Sequence, residues 1–311
     1  MERKIIFELG AIYRDNFRVT GFHFGGKRKS ACIVGAMRGN ENQQLYACSL
    51  LVNKLRELEE NGKLSEEHGI LVIPCVNPFS MNVKKRFWTI DGTDINRMFP
   101  GYDQGETTQR IAAGIFEAVK DYEYGMQFAS FYMPGAFLPH VRIMKTGLED
   151  EELACKFGLP YVVLHNPRPF DTTTLNYNWQ IWETKAFSIY TTNTARLDKK
   201  SAGEAVEAIL NFLSQQGIVN YHRYRGYHSR VIDSGSMIPV RSNAAGFFDS
   251  KVDVGEEVLK GQLLATIQDV YTAEIIGELH SPVNGVVAFM HDEPMTYANT
   301  AVFKIIDEEP W

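Results

Sequence analysis

The chain has 311 residues, of which 44% are hydrophobic and 23% charged, and its formal net charge is −6 at pH 7. This size predicts one large α/β domain with a small appendage, and the negative charge argues against nucleic acid or an anionic membrane as partner. No apolar stretch approaches the roughly 18 residues that span a bilayer. The four widely spaced cysteines, without a CxxC motif, are typical of reduced thiols, so we expect a cytoplasmic protein.

Strand and helix patterns alternate through the first two thirds of the chain. Residues 31–37 (ACIVGAM) and 70–76 (ILVIPCV) predict buried strands, and the helical spacing over 42–60 predicts a helix between them. This order predicts a crossover unit with parallel pairing. Further elements are expected as helices over 107–120 and from Ser201 to about Gln216, the latter with a capping box of Ser201 and Glu204, and as strands over 159–164 and 185–190.

The composition changes after residue 222, where the long helical periods stop. Residues 252–267 and 281–290 alternate in the manner of half-buried strands. We therefore predict two domains, an α/β domain over 1–222 and a small all-β domain over 223–311.

Three polar clusters follow predicted strands or lie in loops. They are 35–41 (GAMRGNE), Arg86 with 94–101 (DINRMFPG), and 139–142 (PHVR). Open α/β sheets place ligands at strand ends, and arginine offers a planar donor fork that suits carboxylates. The sequence therefore predicts a pocket for a small anionic ligand.

These clusters resemble the motifs of the succinylglutamate desuccinylase and aspartoacylase family, which has a zinc carboxypeptidase-like fold. Members carry G-x-H-G-[DN]-E, then N-P…R…D-[LI]-N-R-x-F-P-G, D-L-H and P-H-V-R. This chain matches at Asn77-Pro78, at 94–101 and at 139–142. The resemblance implies a mixed, mostly parallel sheet flanked by helices, with a C-terminal barrel-sandwich hybrid-like β domain.

The resemblance also implies roles for individual residues. Arg86 would polarise the scissile carbonyl, Asn96 and Arg97 would hold the substrate carboxylate, and Arg142 would contact a second acidic group. The family reaction is hydrolysis of an N-acyl amino acid, a linear amide, by zinc-bound water.

The chain departs from the family at the metal. Arg38 stands at the first ligand position and Gln127 at the third, so that Glu41 is the one retained ligand; Gly125 stands where a supporting aspartate is expected, and Tyr190 replaces the glutamate base. Arginine has no lone pair to donate, an amide is a poor zinc ligand, and a phenol is a weak base at neutral pH. We expect no zinc, and hypothesise that Arg38 lies against Glu41 in the place of the metal.

Among the eight histidines, none begins an HxxE, HxH or HExxH pattern, and His140 in PHVR is the one that could be recruited to the site. The predicted binding set is therefore Arg38, Asn96, Arg97, His140 and Arg142. In the C-terminal region, 252–267 and 281–290 resemble a biotinyl/lipoyl domain. No lysine lies between Lys260 and Lys304, so we expect no attached biotin or lipoate.

Three functional hypotheses remain open at this stage. The first is a family member with a degraded zinc site that binds a carboxylate-bearing N-acyl amino acid, with weak or no hydrolysis. The second is an active, zinc-dependent N-acyl-amino-acid deacylase with a non-standard metal site, and the third is a structural subunit beside an active paralogue. A homo-oligomer is compatible with each of them.

Overall fold

The computed structural model describes residues 1–12, 15–222 and 226–308, which form two compact units. The first unit draws on Met1–Ser130 and Pro139–Val231, and the second on Phe131–Leu138 and the residues from Ile232 onward. The boundary predicted between residues 222 and 223 adjoins the stretch 223–225, which lies outside the described residues. That division stays a prediction.

A nine-stranded mixed sheet lies at the centre of the first unit, in the order β1-β2-β4-β3-β5-β9-β7-β8-β10. The strands up to this point of the chain, with β6 belonging to the second unit, are β1 (Glu2–Leu9), β2 (Phe17–Gly25), β3 (Arg28–Ala36), β4 (His68–Cys75), β5 (Tyr124–Ala129), β6 (Ala136–Phe137), β7 (His140–Met144), β8 (Tyr161–His165), β9 (Lys185–Tyr190) and β10 (Arg230–Asp233). Strands β4, β3, β5 and β9 pair in parallel in that order. The mixed sheet and the strands predicted at β3, β4, β8 and β9 are confirmed.

Helices cover both faces of this sheet. They are α1 (Asn42–Glu60), α2 (Pro78–Asn82), α3 (Thr107–Val119), α4 (Glu151–Cys155), α5 (Leu175–Ile181) and α6 (Lys199–Gln215). Because side chains alternate along a strand, Ile33 of β3 packs with α1 and α6, whereas its neighbours Cys32 and Val34 pack with α3 and α5. Helix α1 connects the parallel pair β3 and β4, which confirms the predicted crossover.

Helix α6 begins earlier than the sequence predicted. Its N-cap is Asp198, whose carboxylate accepts hydrogen bonds from the backbone N–H groups of Lys200 (2.9 Å) and Ser201 (3.3 Å). The prediction of Ser201 as the cap was wrong, because the carboxylate three residues upstream already satisfies the free N–H groups of the first turn. The Ser201 hydroxyl instead accepts a hydrogen bond from Gln43 Nε2 at 3.2 Å.

The second unit consists of two antiparallel sheets, as predicted for an all-β region. Its remaining strands are β11 (Ile238–Arg241), β12 (Gly246–Ser250), β13 (Glu257–Val258), β14 (Leu263–Gln268), β15 (Ile275–His280), β16 (Gly285–Met290), β17 (Met295–Thr296) and β18 (Ala301–Asp307). One sheet has the order β11-β18-β16-β13 with β6 against β16, and the other has the order β15-β14-β12-β17. Among the described residues of the whole chain, no helix has the length and apolarity that crossing a bilayer requires.

Candidate functional site

A small polar cavity lies in the first unit, where β3, β5 and β9 end and β7 passes beside them. Its volume is about 50 Å³, room for roughly four water molecules by the usual measure. It is lined by Arg38, Asn96, Arg97, Gln127, Ala129, Ser130, Arg142, Met144, Asp171, Thr174, Asn176, Ser188 and Tyr190. Six of the nine residues assigned to the site from the sequence thus lie around one cavity: Arg38, Asn96, Arg97, Gln127, Arg142 and Tyr190.

Arg38 follows β3, and its side chain is buried between two carboxylates. Its Nη1 donates to Glu41 Oε1 at 2.9 Å, while Nε and Nη2 donate to Asp94 Oδ2 at 3.1 and 2.9 Å. Burial alone would lower the pKa of Arg38, but the charges of Glu41 and Asp94 outweigh burial and raise it. The site therefore contains a permanent internal cation that bridges two anions.

Glu41 has little capacity left for another ligand. The side chain is 1% exposed. Oε2 accepts hydrogen bonds from the backbone N–H groups of Met37 (2.7 Å) and Arg38 (3.0 Å), and Oε1 accepts from the Arg38 guanidinium and the Ser130 hydroxyl. A carboxylate offers about four lone-pair positions, and four donors already use them.

The side chains around Arg38 do not fit a divalent metal ion. The guanidinium has no lone pair, and the buried Gln127 on β5 offers at best an amide oxygen. Within 1–12, 15–222 and 226–308, no three His, Cys, Asp or Glu side chains are grouped so that they could hold a metal. At Gly125, a Cβ would lie 2.7 Å from the indole of Trp179, so this indole fills the space of a supporting aspartate. Zinc-free protein nevertheless stays a prediction.

Asn96 and Arg97 lie in a 3-10 turn (Ile95–Arg97) that Asp94 caps. Asn96 Oδ1 accepts a hydrogen bond from the N–H of Leu175 at 3.3 Å. Arg97 Nη2 lies 3.9 Å from Asp171 Oδ1, and its guanidinium packs over Phe170 at 5.4 Å from the ring centre. Burial and the charge of Arg38 lower the pKa of Arg97. The long contact to Asp171 leaves this guanidinium able to bind an anion.

Tyr190 is enclosed by two other residues predicted for the site. Antiparallel pairing of β7 and β9 puts His140 opposite Tyr190 and Arg142 opposite Ser188. The His140 ring stacks on Tyr190 with centroids 4.7 Å apart, and the Arg142 guanidinium lies 4.8 Å from the Tyr190 ring centre. Burial raises the pKa of Tyr190, although Arg142 and Arg38 oppose the shift. The phenol is therefore neutral at pH 7, which disfavours its use as a base.

Arg86 and His140 are placed less directly. The Arg86 carbonyl accepts a hydrogen bond from Gly39 N–H at 3.0 Å, and its guanidinium lies 5.6 Å from the Phe87 ring centre. Burial, followed by the charge of Arg38, lowers the pKa of Arg86, so it shares the electrostatic field of the site. His140 is buried in the stack with Tyr190. The roles predicted for both residues stay predictions.

Sequence reasoning missed several polar residues of the cavity. Asp94 is part of the DINRMFPG motif, where an aspartate before a turn indicates a cap, but its bonds to Arg38 depend on long-range folding. Asp171 and Asn176 come from a polar stretch without periodicity, between β8 and β9. Such residues carry no local signal, and the tertiary fold alone brings them to the cavity.

The pair of His165 and Asp171 predicts an acid-sensitive step in stability. Burial and the charge of Arg142 lower the pKa of His165 from 6.5, although its Nε2 lies 3.1 Å from Asp171 Oδ2 and that contact opposes the shift. Burial would raise the pKa of Asp171, but hydrogen bonds from Arg168 N–H and His165 lower it. Both folded-state pKa values are depressed, so each group stabilises the fold above its unfolded pKa, and this contribution is lost as the pH falls through its folded pKa.

We therefore expect the free energy of unfolding to decrease from about pH 6.5 downward, with the Asp171 contribution lost at still lower pH. Urea unfolding at a series of pH values measures this change. His165→Gln should flatten the upper part of the decrease, whereas His228→Gln, at an exposed position, should not. Identical pH profiles for the two variants would show that His165 has no part in the effect.

The mixed sheet, the cavity at the strand ends and the additional β unit define an α/β protein of the carboxypeptidase-like class. The sequence profile of the succinylglutamate desuccinylase/aspartoacylase catalytic domain matches residues 27–215. This match covers more than half of the chain, which therefore belongs to that family.

Known proteins agree with this assignment. The N-alpha-acetyl-L-2,4-diaminobutyric acid deacetylase of Halomonas elongata is 24% identical over 263 residues, which cover 78% of this chain and 72% of the deacetylase. A crystal structure of a succinylglutamate desuccinylase from Silicibacter sp. TM1040 superposes with a TM-score of 0.78 at 21% identity, covering 98% of this chain and 94% of the other. The product-bound ectoine utilization protein EutE (DoeB) of Ruegeria pomeroyi also gives 0.78, at 18% identity and the same coverage. These structures share the fold.

Proposed function

We propose that this protein is a metal-independent member of its family that binds a carboxylate-bearing N-acyl amino acid, with weak or no hydrolysis. The observation that carries the proposal is the contact of Arg38 with Glu41 and Asp94. A guanidinium held by three hydrogen bonds between two carboxylates supplies positive charge where the family pattern has a zinc ion. It supplies no water nucleophile, because it cannot coordinate and acidify water.

The remaining polar groups of the cavity support ligand binding. Arg97 and Arg142 both line it, and arginine is suited to hold a carboxylate through two parallel hydrogen bonds. The Asn96 amide lies beside them on the same turn. The ligand carboxylate would bind to Arg97 and Arg142, while Arg38 would contribute its charge and fill the metal position.

The alternative is an active zinc-dependent deacylase with a non-standard metal site. It is favoured by the likeness to a deacetylase and by the retained Glu41. The four hydrogen bonds that Glu41 accepts weigh against it, because a metal would have to displace Arg38. Localisation in the cytoplasm remains part of the first proposal, as does the absence of biotin and lipoate.

Arg97→Ala tests the binding proposal. We expect N-acetylglycine and N-acetyl-L-aspartate, titrated calorimetrically, to define which ligand the wild-type protein binds. The variant should bind it roughly 10- to 100-fold more weakly, as expected for a lost charged hydrogen bond. Neither ligand should be hydrolysed by protein that has been analysed for its metal content.

Arg56→Ala is a matched control, since this arginine lies on the exposed face of α1. It removes the same charge and should leave affinity unchanged. Equal loss in both variants would reduce the effect to net charge, and stoichiometric zinc with hydrolysis that requires Glu41 would replace this proposal by the alternative.

A further inference from the structure

The Asn176 side chain has hydrogen-bonding capacity that the described chain does not use. It belongs to α5, is 1% exposed and lines the cavity. Neither its Nδ2 nor its Oδ1 has a hydrogen-bond partner among the residues that the structure describes. Burying an amide without partners costs free energy, and most buried amides in native proteins are therefore satisfied. Both a donor and an acceptor are thus available at one point of the cavity wall.

A charged donor with the same property lies on the cavity wall. Arg142 Nε is buried and has no partner within the described part of the chain, while its guanidinium faces the Tyr190 ring at 4.8 Å. An anion that accepts from Arg142 and a neutral amide that pairs with Asn176 would satisfy all three atoms. A single small ligand can carry both groups.

The charges around the cavity limit the charge of that ligand. Four arginines (Arg38, Arg86, Arg97 and Arg142) stand against three carboxylates (Glu41, Asp94 and Asp171), which leaves an excess of one positive charge. A monoanion neutralises this excess, whereas a dianion leaves one negative charge in a buried site. Uncompensated buried charge is strongly unfavourable.

We infer that Asn176 is a specificity-determining residue, and that the site selects an N-acylated amino acid with one carboxylate over one with two. This inference rests on the proposed binding function and names its ligand class. The carboxylate binds to Arg97 and Arg142, and the ligand amide donates its N–H to Asn176 Oδ1 and accepts from Nδ2. The small cavity volume favours a short acyl group and a small side chain.

Three probes separate the two parts of the inference. N-acetylglycine carries one carboxylate and an amide, N-acetyl-L-aspartate adds a second carboxylate, and 4-oxopentanoate has the same length as N-acetylglycine but a methylene in place of the N–H. Titration of the wild-type protein should give the tightest binding for N-acetylglycine, by about tenfold over each of the others, the scale of one unsatisfied buried polar group.

Variants then locate the effect. Asn176→Ala should abolish the preference for N-acetylglycine over 4-oxopentanoate, and the isosteric Asn176→Asp should weaken all three probes by adding a negative charge. Asn53→Asp, at an exposed position on α1, is the charge control and should change nothing.

The outcomes are distinct for the two proposals. Tighter binding of N-acetyl-L-aspartate, or no discrimination between N-acetylglycine and 4-oxopentanoate, would overturn the inference and leave the binding function standing. Failure of every probe to bind the wild-type protein would overturn both. Because the ligand series is measured on the wild-type chain, misfolding of a variant cannot hide the answer.

Discussion

Arg38→Met is expected to lower the free energy of unfolding by about 3–5 kcal/mol, the usual cost of removing one partner from a buried ion pair. The substitution keeps much of the side-chain volume but removes the cation between Glu41 and Asp94. Glu41 is 1% exposed, so water cannot readily replace the lost hydrogen bonds. Chemical denaturation, with the slope of the transition checked for constancy, measures the loss.

The control and the rescue make this prediction specific. Arg56→Met removes an arginine from the solvent-exposed face of α1 and should cost less than about 1 kcal/mol. Adding Glu41→Gln to Arg38→Met should recover part of the stability, because it removes one unpaired charge and keeps the side-chain shape. Additive losses in the double variant would show that Arg38 and Glu41 are not coupled.

The sequence predicted the central part of the fold well, because its signals there are local. The apolar runs at β3 and β4 and the helical period of α1 leave one crossover topology, and the family motifs extend it to the whole sheet. The strands β1 and β2 were not predicted; they carry fewer consecutive apolar residues, since their burial is partial. The cap of α6 was misplaced because two acceptable capping residues, Asp198 and Ser201, lie three positions apart.

The site could be predicted only as far as motifs identify positions. Arg38, Glu41 and Gln127 follow from the family pattern, and the predicted contact of Arg38 with Glu41 is confirmed at 2.9 Å. The second anion, Asp94, lies 56 residues away from Arg38, and no pattern in the sequence joins the two. Nor does the sequence reveal that both amide atoms of Asn176 are unsatisfied, which depends on how α5 packs beside β9.

One electrostatic argument joins these observations. Zinc would bring two positive charges to a buried carboxylate, and a histidine ligand would bring none. Arg38 brings a single permanent charge, and Asp94 shares it with Glu41. The site therefore keeps a cation without the coordination chemistry of a metal. On this view, reversing the substitutions at the ligand positions should exchange the internal cation for an external one.

The double variant Arg38→His/Gln127→His is accordingly expected to bind zinc. It restores two imidazoles beside Glu41, and three ligands of this kind with one open position are the usual set of a catalytic zinc site. Purified double variant should contain about one equivalent of zinc, and the wild-type protein far less than one. The measurement is elemental analysis after extensive dialysis.

Stability provides a second readout that needs no enzymatic activity. Without metal the double variant should melt below the wild-type protein, because Glu41 and Asp94 lose their cation, and added zinc should raise its melting temperature again, since a ligand that binds the folded state stabilises it by mass action. The single variant Arg38→His retains Gln127 and should respond less, and Glu41→Gln in the double background should abolish the response. A wild-type protein that already carries one tightly bound zinc would contradict the argument at its root, because a guanidinium and a metal ion cannot share the same carboxylate oxygens. A double variant that ignores zinc would instead place the two imidazoles too far from Glu41, and the proposed equivalence of Arg38 and the metal would be lost.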